Sequence, residues 1–162
     1  GVTAETELYD GSAWSVAGSE AHDLDTARLQ FTMTGNQNSA LAFGGRTNSP
    51  TPGLAHNETE TFNGSAWTEV NNLSTQRSNG TGLGTQTAAL CFGGQVPSPA
   101  VTNLTEEWDG TNWTSGGNLG TAAYQTAGMG TQTSGLALGG GEEVVLQSNY
   151  VVTHTNIVNH SF

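Results

Sequence analysis

The sequence contains almost no positive charge. It has no lysine, and Arg28, Arg46 and Arg77 stand against 14 acidic residues, so the formal net charge is −11 over 162 residues. Nucleic acid backbones and anionic membrane surfaces attract basic proteins, and an acidic chain of this kind is repelled by both. The balance of charge therefore argues strongly against nucleic acid as a partner.

Cysteine and long apolar runs are also scarce. Cys91 is the only cysteine, which excludes a disulfide framework within the chain and a cysteine-based zinc site. The apolar runs span only a few residues and Gly1 opens a polar segment, so we expect neither membrane insertion nor a signal peptide. Hydrophobic residues make up 34%, yet 12 aromatic residues recur at regular spacing, which indicates a folded chain.

Three short patterns return in the same order along the chain. The first is ALAFGG at 40–45, which returns as ALCFGG at 89–94 and GLALGG at 135–140, after 49 and 46 residues. The second is YDGSAW ending at Trp14, which returns as FNGSAW ending at Trp67 and WDGTNW ending at Trp113. The third is GNQN at 35, followed by GTQT at 84 and 130. This common period predicts a repeat architecture.

Each unit is predicted to contain four short antiparallel strands. In the middle unit they span roughly 77–83, 88–94, 102–109 and 112–115. A polar GTQT turn joins the first pair, and Asp109-Gly110, which tolerates a positive φ, joins the last pair. Because the apolar residues recur every two positions, we expect essentially no α-helix.

Four antiparallel strands per unit of nearly 50 residues are typical of a β-propeller blade, and these units resemble the kelch family. The resemblance is carried by a glycine pair closing the second strand, an aromatic residue ending the third and a tryptophan beginning the fourth. These residues are Gly44, Gly45, Gly93, Gly94, Gly139 and Gly140, then Tyr9, Phe62 and Trp108, then Trp14, Trp67 and Trp113. The aromatic residue and the tryptophan are five positions apart, closer than is usual in kelch repeats, which indicates a very tight hairpin. The wording TEEWDGTNW followed by AGMGTQTSGLALGG also resembles kelch-type arrays in bacteriophage tail-fibre and other virion proteins.

The resemblance implies one all-β kelch-repeat domain over 1–162. It comprises a partial blade at 2–18, blades at 28–70 and 77–116, and a partial blade at 122–162 that includes strands near 122–128, 134–140 and 148–155. Closing a propeller requires at least about four blades, and this chain holds about three and a half. We therefore expect a homo-oligomer, with a dimer closing a ring of six or seven blades. The alternative is that the chain is a piece of a longer array.

The connections between strands differ between the two ends of the units. The turns within strand pairs are short and nearly identical, whereas the other connections vary, as in the 14 residues from Trp14 to Arg28 against ten from Trp67 to Arg77. Variable loops on a rigid scaffold are where recognition is usually built. The ligand-binding candidates in these connections are Glu20, His22, Asp23, Asp25, Arg46, Asn48, His56 and Asn57.

Each candidate also has a simpler interpretation. His22 with Asp23 and Asp25 has the ligand types of a divalent-cation site, but the spacing matches no motif, so a solvated loop is favoured and no metal or cofactor is predicted. Arg46 suits an acidic sugar, although balancing nearby acids is the favoured role. Because Arg28 and Arg77 occupy equivalent positions, we expect them to be structural partners of acids such as Glu7 and Glu60. Adjacent strand residues point to opposite faces, which argues against Glu142 and Glu143 as an acid–base pair.

Catalytic motifs are lacking: there is no serine elbow, no glycine-rich loop before a helix and no histidine-rich ligand set. The kelch-type enzyme galactose oxidase needs a cysteine cross-linked to tyrosine, whereas Cys91 occupies a repeat position otherwise held by alanine. We expect a non-catalytic virion or extracellular surface module that binds a host-surface glycan or protein. The alternatives are a secreted propeller enzyme acting on carbohydrate and a purely structural assembly protein.

Overall fold

The computed structural model describes residues 2–16, 22–47, 54–97 and 100–142, and these ranges contain β-strands and no α-helix. Two of the sheets, which we call the second and third sheets in chain order, have four antiparallel strands each. The second sheet consists, in spatial order, of β3 (Thr32–Asn36), β4 (Ser39–Phe43), β5 (Thr59–Phe62) and β6 (Trp67–Val70). The third sheet consists, in spatial order, of β7 (Thr81–Gly84), β8 (Ala89–Phe92), β11 (Thr105–Trp108) and β12 (Trp113–Ser115). The prediction of an all-β chain of four-stranded antiparallel sheets is thus confirmed.

Two-stranded sheets precede and follow this pair. The first sheet consists of β1 (Glu7–Tyr9) and β2 (Trp14–Val16), and the fourth of β13 (Ala127–Thr131) and β14 (Ser134–Leu138). A short hairpin, β9 (Gln95–Val96) with β10 (Ala100–Val101), lies in the connection between β8 and β11 of the third sheet. The predicted strand at 148–155 lies outside the described residues. Within the described ranges the sheets do not close into a barrel or ring.

In the first three sheets, the hairpin between the last two strands explains why the aromatic residue and the tryptophan are five positions apart. Tyr9 lies directly opposite Trp14, and the equivalent pairs are Phe62 with Trp67 and Trp108 with Trp113. Their ring centroids are 5.2, 5.1 and 5.3 Å apart, within the range of favourable aromatic pairs. The sequence spacing therefore places two large rings side by side on one sheet surface.

An Asx turn closes each of these hairpins. In the third sheet the backbone N–H groups of Thr111 and Asn112 donate to Asp109 Oδ1 at 2.8 and 2.7 Å, and Gly110 has a φ of +94°. The same bonds, from Asn112 first and Thr111 second, lower the pKa of the Asp109 carboxyl below its usual value of 3.8. The side chain of Asp109 and the positive φ of Gly110 thus stabilise the short connection between the two strands.

The first strands of the later sheets lie next to one another, with β3 against β7 and β7 against β13. The apolar core lies between sheets, in two clusters. One contains Leu24, Ala40, Ala42, Phe62 and Trp67, and the other contains Leu41, Phe43, Leu73, Ala89, Cys91, Trp108 and Trp113. Burial in the second cluster raises the pKa of the Cys91 thiol to about 12. Apolar side chains of neighbouring sheets therefore pack against each other in both clusters.

Two buried ion pairs tie the segment before each sheet to that sheet's third strand. Arg28 Nη1 is 2.6 Å from Glu60 Oε1, and Arg77 Nη2 is 2.7 Å from Glu106 Oε1. The expectation that these two arginines are structural partners of acids is confirmed, and Glu60 is one of those acids. The expectation for Glu7 is wrong, because Glu7 is exposed on β1 and forms no ion pair among the described residues.

Candidate functional site

Three equivalent residues precede the first strands of the second, third and fourth sheets in an unusual backbone conformation. Gln30, Asn79 and Gln125 have φ values of 56°, 55° and 54°, the left-handed region that few non-glycine residues adopt. The backbone N–H of Asn79 donates to Gln30 O, and that of Gln125 to Asn79 O, each at 2.9 Å. This ladder fixes the three residues in register at one end of the adjoining first strands.

Their side chains form a continuous hydrogen-bonded row. Asn79 Nδ2 donates to Gln30 Oε1 at 3.2 Å and to Gln95 Oε1 at 2.7 Å, and Gln125 Nε2 donates to Asn79 Oδ1 at 3.4 Å. Arg46 Nε also donates to Gln30 Oε1. We call Gln30, Arg46, Asn79, Gln95 and Gln125 the polar row. It lies at the sheet end from which the variable connections leave.

The row is built by the repeat itself. Arg46 and Gln95 each follow a glycine pair, and each pairs through backbone bonds with the residue just before the left-handed position, Leu29 or Ser78. Amide groups both donate and accept hydrogen bonds, and a guanidinium adds a fixed fork of donors. The arrangement presents repeated planar amide groups and a single positive charge. Groups of these kinds can form hydrogen bonds with hydroxyl-rich or carboxylate-bearing ligands.

The predicted candidates His56 and Asn57 lie close to this end and are engaged in local structure. His56 Nδ1 is 2.8 Å from Glu58 Oε2, and Asn57 Nδ2 donates to Leu73 O at 3.0 Å. Partial burial raises the pKa of Glu58, but hydrogen bonds from its own backbone and from His56 outweigh this and lower it below 4.5. These residues fasten β5 to the connection that leads into β7.

The other predicted ligand-binding candidates are not part of the polar row. The His22 ring lies 6.3 Å from the Phe62 ring, and the backbone N–H of Asp25 donates to Glu60 Oε2 at 2.8 Å while its side chain is exposed. Asp23 is half-buried. Among the residues described, no group of three or more histidine, cysteine or acidic side chains comes together as a metal site. Glu20, Asn48 and Glu143 lie outside the described residues, and Glu142 is exposed.

Sequence reasoning found Arg46 but missed the four amides of the row. A signal was present, since Gln30, Asn79 and Gln125 recur after 49 and 46 residues, the same spacings as the glycine pairs.

No apolar helix long enough to cross a bilayer occurs in the part of the chain that the structure describes. The chain matches no protein-family model, and no curated protein is detectably similar to it. The described residues thus form a repeat of antiparallel sheets with the polar row at one end.

Proposed function

We propose that this protein is a non-catalytic recognition module of the kelch-type propeller class that binds a glycan on a host surface through the polar row and the variable connections beside it. In this proposal the module belongs to a virion or to another extracellular surface. The observation that carries the proposal is the polar row, because it aligns one amide from each of three consecutive units.

The chemistry of the row favours carbohydrate. Sugar hydroxyl groups both donate and accept hydrogen bonds, and side-chain amides can answer both requirements at each position. Arg46 is the row's only cation and suits a carboxylate of an acidic sugar, while the net charge of −11 disfavours highly anionic polymers. Each site is expected to bind weakly, and repetition in an assembly would multiply the effect.

Several features support the propeller class. Equivalent first strands lie side by side, the glycine pair after each second strand has positive φ values (66° and 104° in Gly44 and Gly45), and equivalent residues make equivalent contacts between sheets. The wording of the repeats, which resembles phage tail-fibre arrays, supports the virion setting.

The proposal is tested by screening the purified 162-residue chain on a glycan array and on a panel of chromogenic glycosides. We expect saturable binding to a restricted set of glycans without turnover. Asn79→Gly should weaken that binding at least about tenfold, because glycine keeps the positive φ and removes only the amide.

Asn38→Gly serves as the matched control, because Asn38 is an exposed amide in the turn at the opposite end of β3. Its binding should stay unchanged. Hydrolysis of any glycoside would favour the secreted-enzyme alternative, and absence of binding to every glycan would favour a structural assembly role.

A further inference from the structure

Two of the junctions between consecutive sheets contain the same tryptophan contact. Trp67 Nε1 donates to Thr6 Oγ1 of the first sheet's segment, and Trp113 Nε1 donates to Thr59 Oγ1 of the second sheet, both at 3.0 Å. In the second of these junctions Phe43 packs edge-on against Trp113 with ring centroids 4.9 Å apart. The indole donor always belongs to the later sheet and the hydroxyl acceptor to the earlier one.

A second contact follows the same direction. Gln86 Nε2, in the turn between β7 and β8, donates to Ala40 O and Phe62 O of the second sheet at 3.1 and 2.7 Å. Gln132 Nε2 does the same to Ala89 O and Trp108 O of the third sheet, at 3.1 and 2.7 Å. With the backbone ladder from Asn79 to Gln30, three kinds of bond run from the third sheet to the second, and each kind recurs at one other junction.

At the first-sheet end of the stack, the equivalent donors have no acceptor among the described residues. The Trp14 side chain is 67% exposed, and Gln37, the equivalent of Gln86, is exposed and forms no hydrogen bond. Beside them is a cavity of about 300 Å³ lined largely by apolar side chains, including Leu8 and Met33. It lies where the second sheet has no first and second strands of an earlier sheet to pack against.

At the fourth-sheet end the equivalent acceptors have no equivalent donor within the described part of the chain. Thr105 Oγ1, the counterpart of Thr6 and Thr59, receives no indole bond there, and the carbonyl of Gly135, the counterpart of Ala40, receives no side-chain amide bond of the kind that Gln86 donates. The apolar side chains of this sheet, Met129, Leu136 and Leu138, are 67%, 56% and 69% exposed. Leu138 stands at the position of Phe43, which is buried at a complete junction.

The strand edges at the two ends complement each other as well. In the complete sheets the third strands, β5 and β11, pair on both edges, whereas β1 pairs only with β2 among the described residues. Likewise β4 and β8 pair on both edges, whereas β14 pairs only with β13 within the ranges that the structure describes. Joining β14 to the β1 of another chain, in the place predicted from the sequence for a strand near 148–155, would form the order β13-β14-β1-β2, which is the order of the complete sheets. Unpaired strand edges are templates for such pairing.

We infer that a second copy of this chain docks head to tail on these two ends, so that the first sheet of one copy completes the fourth sheet of the other. One placement then supplies every open contact: Trp14 donates to Thr105 of the second copy, and Gln37 to the carbonyl of Gly135 of that copy. Leu138 of the second copy packs against Trp67 in the place of Phe43 against Trp113. The inferred interface continues one that the chain already makes twice within itself.

The geometry also limits the number of copies. With its two half sheets shared, each copy contributes three sheets, so two copies form six and three copies form nine. Known propellers have about four to eight blades, so two copies are expected. This step rests on the propeller class in the proposed function.

The test measures the mass of the 162-residue chain by light scattering at tens of micromolar. We expect about twice 16.7 kDa. Trp14→Arg and Leu138→Arg each place a charge on one of the two faces, so each variant alone should have the mass of one chain with an unchanged far-UV circular dichroism spectrum. An equimolar mixture should recover a two-chain species, because one variant keeps an intact first-sheet face and the other an intact fourth-sheet face.

Ser65→Arg is the control, since Ser65 is exposed in the turn between β5 and β6, away from both faces. It should remain a dimer. A single-chain mass for the unmodified protein overturns the inference, and so does either face variant that stays dimeric alone or a mixture that shows no recovery. Glycan binding needs no second copy, so a monomer that binds glycan refutes this inference and leaves the proposed function intact.

Discussion

Arg77 and Arg28 occupy the same repeat position but are satisfied to different degrees. Arg77 donates to Gly93 O and Leu104 O as well as to Glu106 and leaves only Nε without a partner among the described residues, whereas both Nε and Nη2 of Arg28 have none there. Burying a charge is costly unless hydrogen bonds replace the lost water. The two pairs therefore hold their segments with unequal strength.

Replacing one member of such a pair leaves the other charge buried alone. We predict that Arg77→Met lowers the free energy of unfolding by about 3–5 kcal/mol. Arg28→Met should cost less, because Arg28 makes fewer bonds. Urea unfolding followed by tryptophan fluorescence measures both, and a larger loss for Arg28→Met would contradict the comparison.

Cys91 gives a second prediction at this scale. Its side chain is buried and its thiol has a pKa of about 12, so almost no thiolate is present at pH 8. We expect no reaction with an aromatic disulfide reagent in the native protein at pH 8 and complete reaction in denaturant. Rapid labelling of the folded chain would show that the core around β8 opens.

The sequence indicated that the two arginines pair with acids and gave no means of excluding Glu7. Arg28 and Arg77 occupy positions that recur with the period, so the alignment of the units indicated a structural role without showing which acid each arginine contacts. Glu7 is the counterpart of Glu60 and Glu106, but the first sheet has no first strand among the described residues, and hence no arginine before it. Equivalence in sequence predicts a contact only where the whole unit is present.

At the scale of the elements, the glycine pairs show that a close approach between neighbouring backbones requires a residue without a side chain. Gly93 and Gly139 have nearly equal φ values of 64° and 69°, so an alanine pays a similar backbone strain at either site. A Cβ on Gly93 would lie 2.4 Å from the carbonyl oxygen of Ala123, whereas one on Gly139 would meet nothing within 4 Å.

We therefore predict that, in the Trp14→Arg background, which keeps the chain single, Gly93→Ala destabilises the protein by about 1–3 kcal/mol more than Gly139→Ala. Chemical unfolding of the two variants under the same conditions measures the difference. Equal losses would mean that backbone strain alone sets the cost and that the approach of Ala123 is not tight.

Trp67 tests the packing between sheets. It is almost fully buried and its indole donates to Thr6. Trp67→Ala is expected to cost about 3–5 kcal/mol, and Trp67→Phe, which loses the indole donor and part of the ring, distinctly less. Thermal unfolding compares the two variants, and an unchanged melting temperature for the alanine variant would contradict the role given to this junction.

Strand number and turns could be predicted from alternating residues and from the Asp-Gly and Asn-Gly pairs, but the strand bounds could not. The third sheet's first strand was expected at 77–83 and begins at Thr81. Arg77 is committed to its ion pair, and Asn79 adopts a left-handed conformation and bonds to Gln30 of the neighbouring sheet. These residues belong to the junction between sheets, a relation that local propensity does not encode.

For the whole molecule, the inferred pair of copies brings together two chains that each carry a net charge of −11. Salt screens such repulsion over a Debye length of about 8 Å at physiological ionic strength. We predict that the dimer dissociation constant falls as sodium chloride rises from 20 to about 300 mM. Sedimentation equilibrium measures this, and weaker association at high salt would point to attraction between charges instead of apolar and polar contacts.

The candidate surface was only partly predictable at this scale. Arg46 stood out as one of three cations, whereas individual glutamines and asparagines carry no signal in a chain rich in them. Their role follows from the backbone ladder that lines up Gln30, Asn79 and Gln125, and that ladder exists only after the sheets have packed.

The uniform direction of the bonds between sheets has a consequence for how such a chain can change. The third sheet donates to the second through Trp113 and Gln86 and accepts from the fourth through the carbonyls of Ala89 and Trp108, so a duplicated third-sheet unit would meet matching neighbours on both sides. Unequal recombination could therefore lengthen the array without any compensating substitution. Under the inferred pairing, two chains that are each longer by one unit would form eight sheets in place of six.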